Sequence, residues 1–192
     1  MLTQNARKHF DDPEFRAGAL GTLTRTVERM QKLVGRLSTR HAASELEFES
    51  VLLDELARDT AASMSTGPAL HLALALDSVP SVRGDGDAIQ RVIQNLITNA
   101  VEATDGEGTV TVRVCRQDGM VACAVTDTGC GMTEEFVRTS LFVPFQTTKK
   151  GGWGIGLYQA REIVTAHAGH IEVSSQEGLG TTVILLFPEE KP

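Results

Sequence analysis

Positive charge is what this 192-residue sequence is short of: 18 Lys and Arg stand against 25 Asp and Glu, a formal net charge of −7. Phosphate backbones demand a basic footprint, so nucleic acid is excluded as the main partner. Long apolar runs are missing as well. No stretch approaches the roughly 20 residues that a bilayer-spanning helix needs, and no signal-peptide pattern opens the chain. We therefore expect a cytoplasmic chain without direct membrane contact, free-standing or cut from a larger membrane-bound protein. Cysteine is scarce, and Cys115, Cys123 and Cys130 follow neither CxxC nor zinc-finger spacing. Cys115 and Cys123 fall on adjacent expected strands but on opposite faces, which disfavours a disulfide and fits reduced, cytoplasmic thiols.

What remains is an ordinary globular balance, 41% hydrophobic and 22% charged. At this length it allows one good core, or a core domain plus an appendage. Met1–Phe10 reads as the tail of a helix whose beginning is missing. Asp11-Asp12-Pro13-Glu14 is a strong helix start, with an acidic cap, proline in the first turn and negative charge at the positive end of the dipole. Leu20, Leu23, Val27, Met30, Val34 and Leu37 then alternate spacings of three and four, the seam of a coiled coil or helical bundle. A lone helix with such a seam is unstable in water, so it predicts a dimerisation stem. A helix lying on its own domain fits the narrow stripe less well. We expect a partial stem over 1–38, a linker over 39–46 and a folded domain over 47–192.

That domain is expected to open with a helix between Phe48 and Met64, carrying Val51, Leu52 and Leu56 with Ser50 as its cap. Leu70, Leu72, Leu74 and Leu76 alternate with His71, Ala73, Ala75 and Asp77, as in a half-buried strand. After Gly84-Asp85-Gly86-Asp87 comes the main helix, expected over Gln90–Thr104, with Ile89, Val92, Ile93, Leu96, Ile97, Ala100 and Val101 on one broad apolar face. Val110, Val112 and Val114, the turn Asp118-Gly119, and Val121, Cys123 and Val125 predict a hairpin with all six apolar residues on one face. A helix from Ile155 to His167 and strands His170–Ser174 and Thr181–Phe187 complete the set. The pattern predicts an α+β two-layer sandwich: one mixed, mostly antiparallel sheet with helices on one face.

Several polar motifs sit on this frame. Asn95, Asn99 and Glu102 are spaced by four and three, so they share a helix face pointing away from the core. Asparagine is an indifferent helix former, and alone this face reads as solvated surface. Asp127-Thr128-Gly129-Cys130-Gly131 ends a strand, offering a carboxylate beside backbone that a flat ligand can approach, or simply a tight turn. Leu141-Phe142-Val143-Pro144-Phe145 reads as an anchor for the loop that follows. That loop, Thr147-Thr148-Lys149-Lys150-Gly151-Gly152-Trp153-Gly154-Ile155-Gly156-Leu157, is basic and glycine-rich and runs into a helix N-terminus, which suits phosphate. No strand leads into it, and its lysine precedes the glycines, so it is neither a dinucleotide fingerprint nor a Walker loop. Gly178-Leu179-Gly180-Thr181 is an ordinary turn by itself.

In this order and at these intervals, NLITNAVEA (Asn95–Ala103), DTGCG (Asp127–Gly131), FVPF (Phe142–Phe145), GWGIGL (Gly152–Leu157) and GLGT (Gly178–Thr181) resemble the N, G1, F, G2 and G3 boxes of sensor histidine kinases. These belong to the GHKL ATPase group, and the resemblance covers roughly Glu47 to Pro188. The helix in front resembles the second helix of the kinase dimerisation and phosphotransfer domain. More loosely, DDPEF and the helix after it are similar to kinases of the exosortase (PEP-CTERM) system. The resemblance implies ATP held between the main helix and a lid. It makes Asn99 the Mg2+ ligand, Asn95 its companion near metal and phosphates, and both the catalytic pair. Asp127 becomes the acceptor for adenine N6, with Gly129 and Gly131 beside the ring. Lys149, Gly152, Gly154, Gly156 and Leu157 belong to the phosphate lid, and Thr181 contacts adenine. A response regulator as partner and a homodimer through the stem are also implied, in the cytoplasm or in the cytoplasmic part of a membrane-bound sensor.

This sequence departs from that pattern in places. No histidine carries the acidic successor expected of a phosphoacceptor: His9 precedes Phe10 and His41 precedes Ala42. His71, His167 and His170 read as structural. A fragment that binds ATP without phosphorylating itself is the expectation. Glu102-Ala103 stands where many relatives carry Lys-Tyr, which leaves less positive charge at the phosphates. Hydrolysing ATPases of the chaperone or topoisomerase kind place a glutamate base one turn before the metal-binding asparagine. Here that position is Asn95, which cannot take a proton, so transfer to a protein is favoured. A serine kinase regulating sigma factors and a non-catalytic nucleotide-sensing dimerisation module are the remaining alternatives.

Overall fold

β-Branched residues favour the pleated chain, and their alternation places the valines of the 110–125 region on one side of a sheet. The computed structural model describes residues 46–64, 67, 69–149 and 152–191, together with Ala19, Gly21 and Thr22. The chain divides into two units, Met1–Ser38 and Thr39–Pro192. The expected stem seam and almost all of the linker lie outside the described residues.

In the second unit the elements are β1 (Glu49–Val51), α1 (Leu53–Ser63), β2 (Leu70–Leu76), β3 (Val82–Gly84), α2 (Gly86–Ala103), β4 (Gly108–Gln117) and β5 (Met120–Asp127). They are followed by α3 (Glu134–Thr139), α4 (Gly156–Ala166), β6 (His170–Gln176) and β7 (Gly180–Pro188). Five strands form one sheet in the order β2-β4-β5-β7-β6. Only the β2–β4 pairing is parallel, and the other three are antiparallel. This is the expected mixed sheet of an α+β sandwich. β1 and β3 make a separate two-stranded ribbon that the sequence did not announce.

The β4–β5 hairpin turns at Asp118 and Gly119, both with positive φ (50° and 77°), as a tight Asp-Gly turn requires. Its register sets Val112 opposite Val125 and Val114 opposite Cys123. Val110, Val112, Val114, Val121 and Cys123 are fully buried, and Val125 nearly so. α2 covers this face: Ile89, Ile93 and Ile97 are completely buried, and all belong to one core with the hairpin valines. Each fully buried side chain of this kind stabilises by about 1.5–3 kcal/mol. Ala122, which pairs with Cys115, lies on the opposite face from Cys123, and all three cysteines are free thiols. Burial pushes the Cys123 thiol up to about 12.

α2 starts at Gly86, ahead of the expected Gln90, because the Asp85 carboxylate caps it by accepting the Ala88 N–H at 2.7 Å. Ser50 is not the cap of α1. It sits inside β1, and its hydroxyl donates instead to the Glu190 carboxylate. Leu52 takes the capping position with no side-chain bond. Leu70 is buried, but Leu72, Leu74 and Leu76 are only partly covered, with Leu74 43% exposed, because β2 lies at the edge of the sheet.

Candidate functional site

With its apolar stripe on the sheet, α2 turns Asn95, Asn99 and Glu102 away from the core. There they line a cavity of about 470 Å³, closed on other sides by the ends of β5 and β7 and by residues 146–149 and 152–155. Within α2 the Asn99 amide nitrogen donates to Oδ1 of Asn95 at 3.4 Å. That leaves Oδ1 of Asn99 to accept a hydrogen bond from the Lys149 ammonium, at 2.8 Å. The same ammonium lies 2.5 Å from the Glu102 carboxylate.

At another part of the wall stands Asp127, 6% exposed at the end of β5. The antiparallel register places Thr181 directly opposite it. Its Oδ1 accepts the backbone N–H groups of Gly129 at 2.8 Å and Thr181 at 3.3 Å. Among the described residues no protein donor reaches Oδ2, which is left for a donor in the cavity. Burial pushes the Asp127 carboxyl above the ordinary carboxylate range, opposed by the Gly129 and Thr181 amides and by the charge of Lys149.

The glycines owe their identity to close approaches within the protein. Gly131 has φ +63°, and a Cβ there would overlap the Gln176 carbonyl. A Cβ on Gly156 would lie 2.5 Å from Oδ1 of Asn95. Gly131, Gly152, Gly154, Gly156 and Leu157 all line the cavity, as do Lys149 and Thr181. Gly129 does not; it packs against Ala103 and serves the site through its N–H to Asp127. The neck of the loop is clamped by the Phe145 N–H donating to the Gly154 carbonyl at 2.9 Å, with Phe145 itself at φ +67°. Phe142 and Phe145 are half-buried rather than deep anchors, and Leu141 is the buried member of that motif. Beyond the loop, the N-terminus of α4 opens on the cavity at Ile155, Gly156 and Leu157, a favourable place for an anion.

Three residues gained importance only in three dimensions. Ser175 accepts the Met132 N–H at 2.8 Å, donates to the Gly180 carbonyl and bonds the Thr181 hydroxyl at 2.9 Å, tying the loop after β5 to β7. No local pattern marks it. Trp153 lines the cavity while 80% exposed. Glu102, read from the sequence as a loss of positive charge, is the partner of Lys149.

Two oxygens, from Asn99 and Glu102, converge on one ammonium, and hard oxygen donors of this kind fit a divalent cation such as Mg2+. Among the described residues no group of three His, Cys, Asp or Glu comes together as a metal cage, so such an ion would rely on oxygens of its ligand as well. His167 is buried at 3% and bonded at both ring nitrogens, consistent with a structural role. His9 and His41 lie outside the described residues. No described helix is long and apolar enough to cross a membrane.

The family described as "Histidine kinase-, DNA gyrase B-, and HSP90-like ATPase" matches residues 84–191. The sensor histidine kinase ZraS of Klebsiella oxytoca is 33% identical over 172 residues, 86% of this chain and 37% of its own length. The C4-dicarboxylate transport sensor protein DctS of Rhodobacter capsulatus is 35% identical over 85% of this chain and 25% of its own length. The chain thus spans little more than a third, or less, of these relatives. Among solved structures, full-length ShkA in complex with AMPPNP is similar with a TM-score of 0.70 at 26% identity, covering 93% of this chain and 40% of that one. The nucleotide-free catalytic domain of histidine kinase ThkA gives 0.64 at 28% identity, covering 74% of this chain and 96% of that one.

Proposed function

The chain belongs to the histidine kinase-, DNA gyrase B-, and HSP90-like ATPase family and carries the ATPase domain of a sensor histidine kinase, and from that premise we propose that its cavity binds Mg2+–ATP and donates the γ-phosphate to a histidine on a dimeric stem. The phosphate then passes to a response regulator. The observation that carries this reading is the pairing, in one cavity, of a buried carboxylate with a free oxygen (Asp127) and a polar helix face met by a loop lysine (Asn95, Asn99 and Lys149).

In this reading Oδ2 of Asp127 accepts the adenine amino group, and Thr181 orders that end through its N–H to the same carboxylate. Gly131 lets the backbone run close beside the ring, and Gly129 holds the carboxylate. Asn99 offers its amide oxygen to Mg2+, with Asn95 fixing which way that amide points. Bound Mg2+ supplies neutralisation of phosphate charge. Lys149, with Gly152, Gly154, Gly156, Leu157 and the N-terminus of α4, receives the phosphates as a lid. Phosphoryl transfer needs chiefly positioning and charge stabilisation, which this equipment provides. The neutral amide of Asn95 cannot take a proton from water, which favours transfer over hydrolysis.

Residues 1–38 then form part of the dimerising stem, 39–46 the linker and 47–192 the catalytic domain, on the cytoplasmic side of a sensor. With no phosphoacceptor motif at any histidine of this chain, the fragment alone does not phosphorylate itself. The test supplies the missing partner. γ-Labelled ATP, Mg2+ and this chain are incubated with and without a dimerisation domain bearing the acceptor histidine. Label on the acceptor domain, stable to alkali and lost in acid, is the expected outcome. Nucleotide binding without any transfer would leave a non-catalytic sensing module.

A further inference from the structure

The Lys149 ammonium bonds at once to Oδ1 of Asn99, at 2.8 Å, and to Oε2 of Glu102, at 2.5 Å. The two oxygens sit three residues apart on one face of α2, and the Asn95–Asn99 bond keeps the amide oxygen turned outward. Two acceptors from one rigid helix thus converge on the position of a single positive charge. We propose that Asn99 and Glu102 form one cation seat, filled by Lys149 while no nucleotide is bound and taken over by a divalent cation when nucleotide enters. Glu102 is then the positioning carboxylate for that cation, directly or through a water, and Lys149 is released to the phosphates. The proposal rests on reading the cavity as a Mg2+–ATP site.

The exchange has three physical grounds. First, a carboxylate is a better ligand for a hard cation than a lone amide oxygen, and Mg2+ is commonly held by one or two carboxylates together with substrate phosphates. Second, the Glu102 and Lys149 side chains are 54% and 38% exposed, and ion pairs this wet are weak, so the exchange meets little resistance. Third, a polyphosphate brought near Glu102 without a metal would draw Lys149 away and leave like charges facing each other. A divalent cation between them removes that repulsion. Glu102 therefore makes nucleotide entry conditional on the metal, a role that a lysine at this position could not fill.

Trp153, the only tryptophan in the chain, lines the same cavity and reports binding by its fluorescence. ATP is titrated into the unaltered chain and into Glu102→Gln, each with Mg2+ and with EDTA. We expect the substitution to tighten metal-free ATP and to weaken the benefit of Mg2+, so that the ratio of the two dissociation constants falls by about tenfold, the scale of one partly screened charge. A ratio equal to that of the unaltered chain overturns the proposal. A second measurement uses Mn2+ alone, followed by its electron paramagnetic resonance signal. Lys149→Ala should bind Mn2+ more tightly than the unaltered chain, and adding Glu102→Gln should abolish that gain. A gain that survives in the double variant also overturns the seat. If the unaltered chain binds no ATP with or without metal, the reading of the cavity fails first, and the seat with it.

Discussion

Gly156, the first residue of α4, lies against the amide of Asn95 on α2, so that a Cβ added to it would come 2.5 Å from Oδ1. The approach couples the helix that follows the glycine-rich loop to the polar face of the main helix. Alanine would otherwise favour a helix start over glycine. Gly156→Ala is therefore expected to keep the fold but push the Asn95 amide aside, and with it the orientation of Asn99. Titration of Trp153 fluorescence should show Mg2+–ATP affinity reduced by roughly tenfold, about 1.4 kcal/mol. Circular dichroism should remain that of the unaltered chain.

His167 holds the other end of α4. Its Nδ1 donates to the Ile163 carbonyl at 2.7 Å while Nε2 accepts the Asp85 N–H at 2.9 Å, which only the neutral ring can do. Phe48 stacks on the ring at 4.9 Å and Phe187 meets its edge at 6.2 Å. His167→Ala leaves a void and an unpaired N–H, at a cost of about 2–4 kcal/mol. Chemical denaturation should show that loss, whereas ATP affinity under native conditions should be unchanged, since the ring lies outside the cavity.

The thiols should separate cleanly. Cys123 is fully buried with its thiol pushed up to about 12 by burial, and Cys130 is exposed on the cavity wall. Thiolate is the reactive form, so a maleimide should modify Cys130 in the folded chain and spare Cys123. Mg2+–ATP should slow modification of Cys130, as read by peptide mass spectrometry. Equal rates with and without nucleotide would count against its place in the site.

Asp127 gives two opposite pH dependences. Its carboxyl is raised by burial, so the folded chain holds a proton where the unfolded chain has lost it. Its contribution to stability is therefore greatest in acid and declines as pH rises from the ordinary carboxylate value through the raised one. Adenine binding at the proposed site should run the other way, because the ionised carboxylate is the better acceptor. ATP affinity should weaken as pH falls through the same window, and Asp127→Asn should flatten that part of the profile.

The parts of this fold that could be read from the sequence are those written in local periods. The apolar stripe of α2 and the alternation around Asp118-Gly119 specify a helix and a hairpin because 3.6 and 2 are distinct spacings. The ordered boxes indicated which residues would share a cavity, and the cavity lining includes all of those assigned to the site except Gly129. What escaped was decided at long range. Serine ahead of an apolar stretch signals a cap, yet Ser50 turns to Glu190, 140 positions away. Glu102 and Lys149, 47 positions apart, looked like a deficit of positive charge and a part of the phosphate lid until the fold placed them together. Ser175 joins the loop after β5 to β7 through bonds that its own strand pattern does not record.

In the proposed function Asp127 and the polar face of α2 enclose a nucleotide. Calorimetric titration of Mg2+–ATP into the unaltered chain and into Asp127→Asn tests it most directly. A hydrogen bond to a charged acceptor contributes about 2 kcal/mol, so the substitution should weaken binding by roughly thirtyfold. Binding by the unaltered chain with that loss in the variant is the expected result. Equal affinity in the two proteins, or no binding by the unaltered chain, would contradict it.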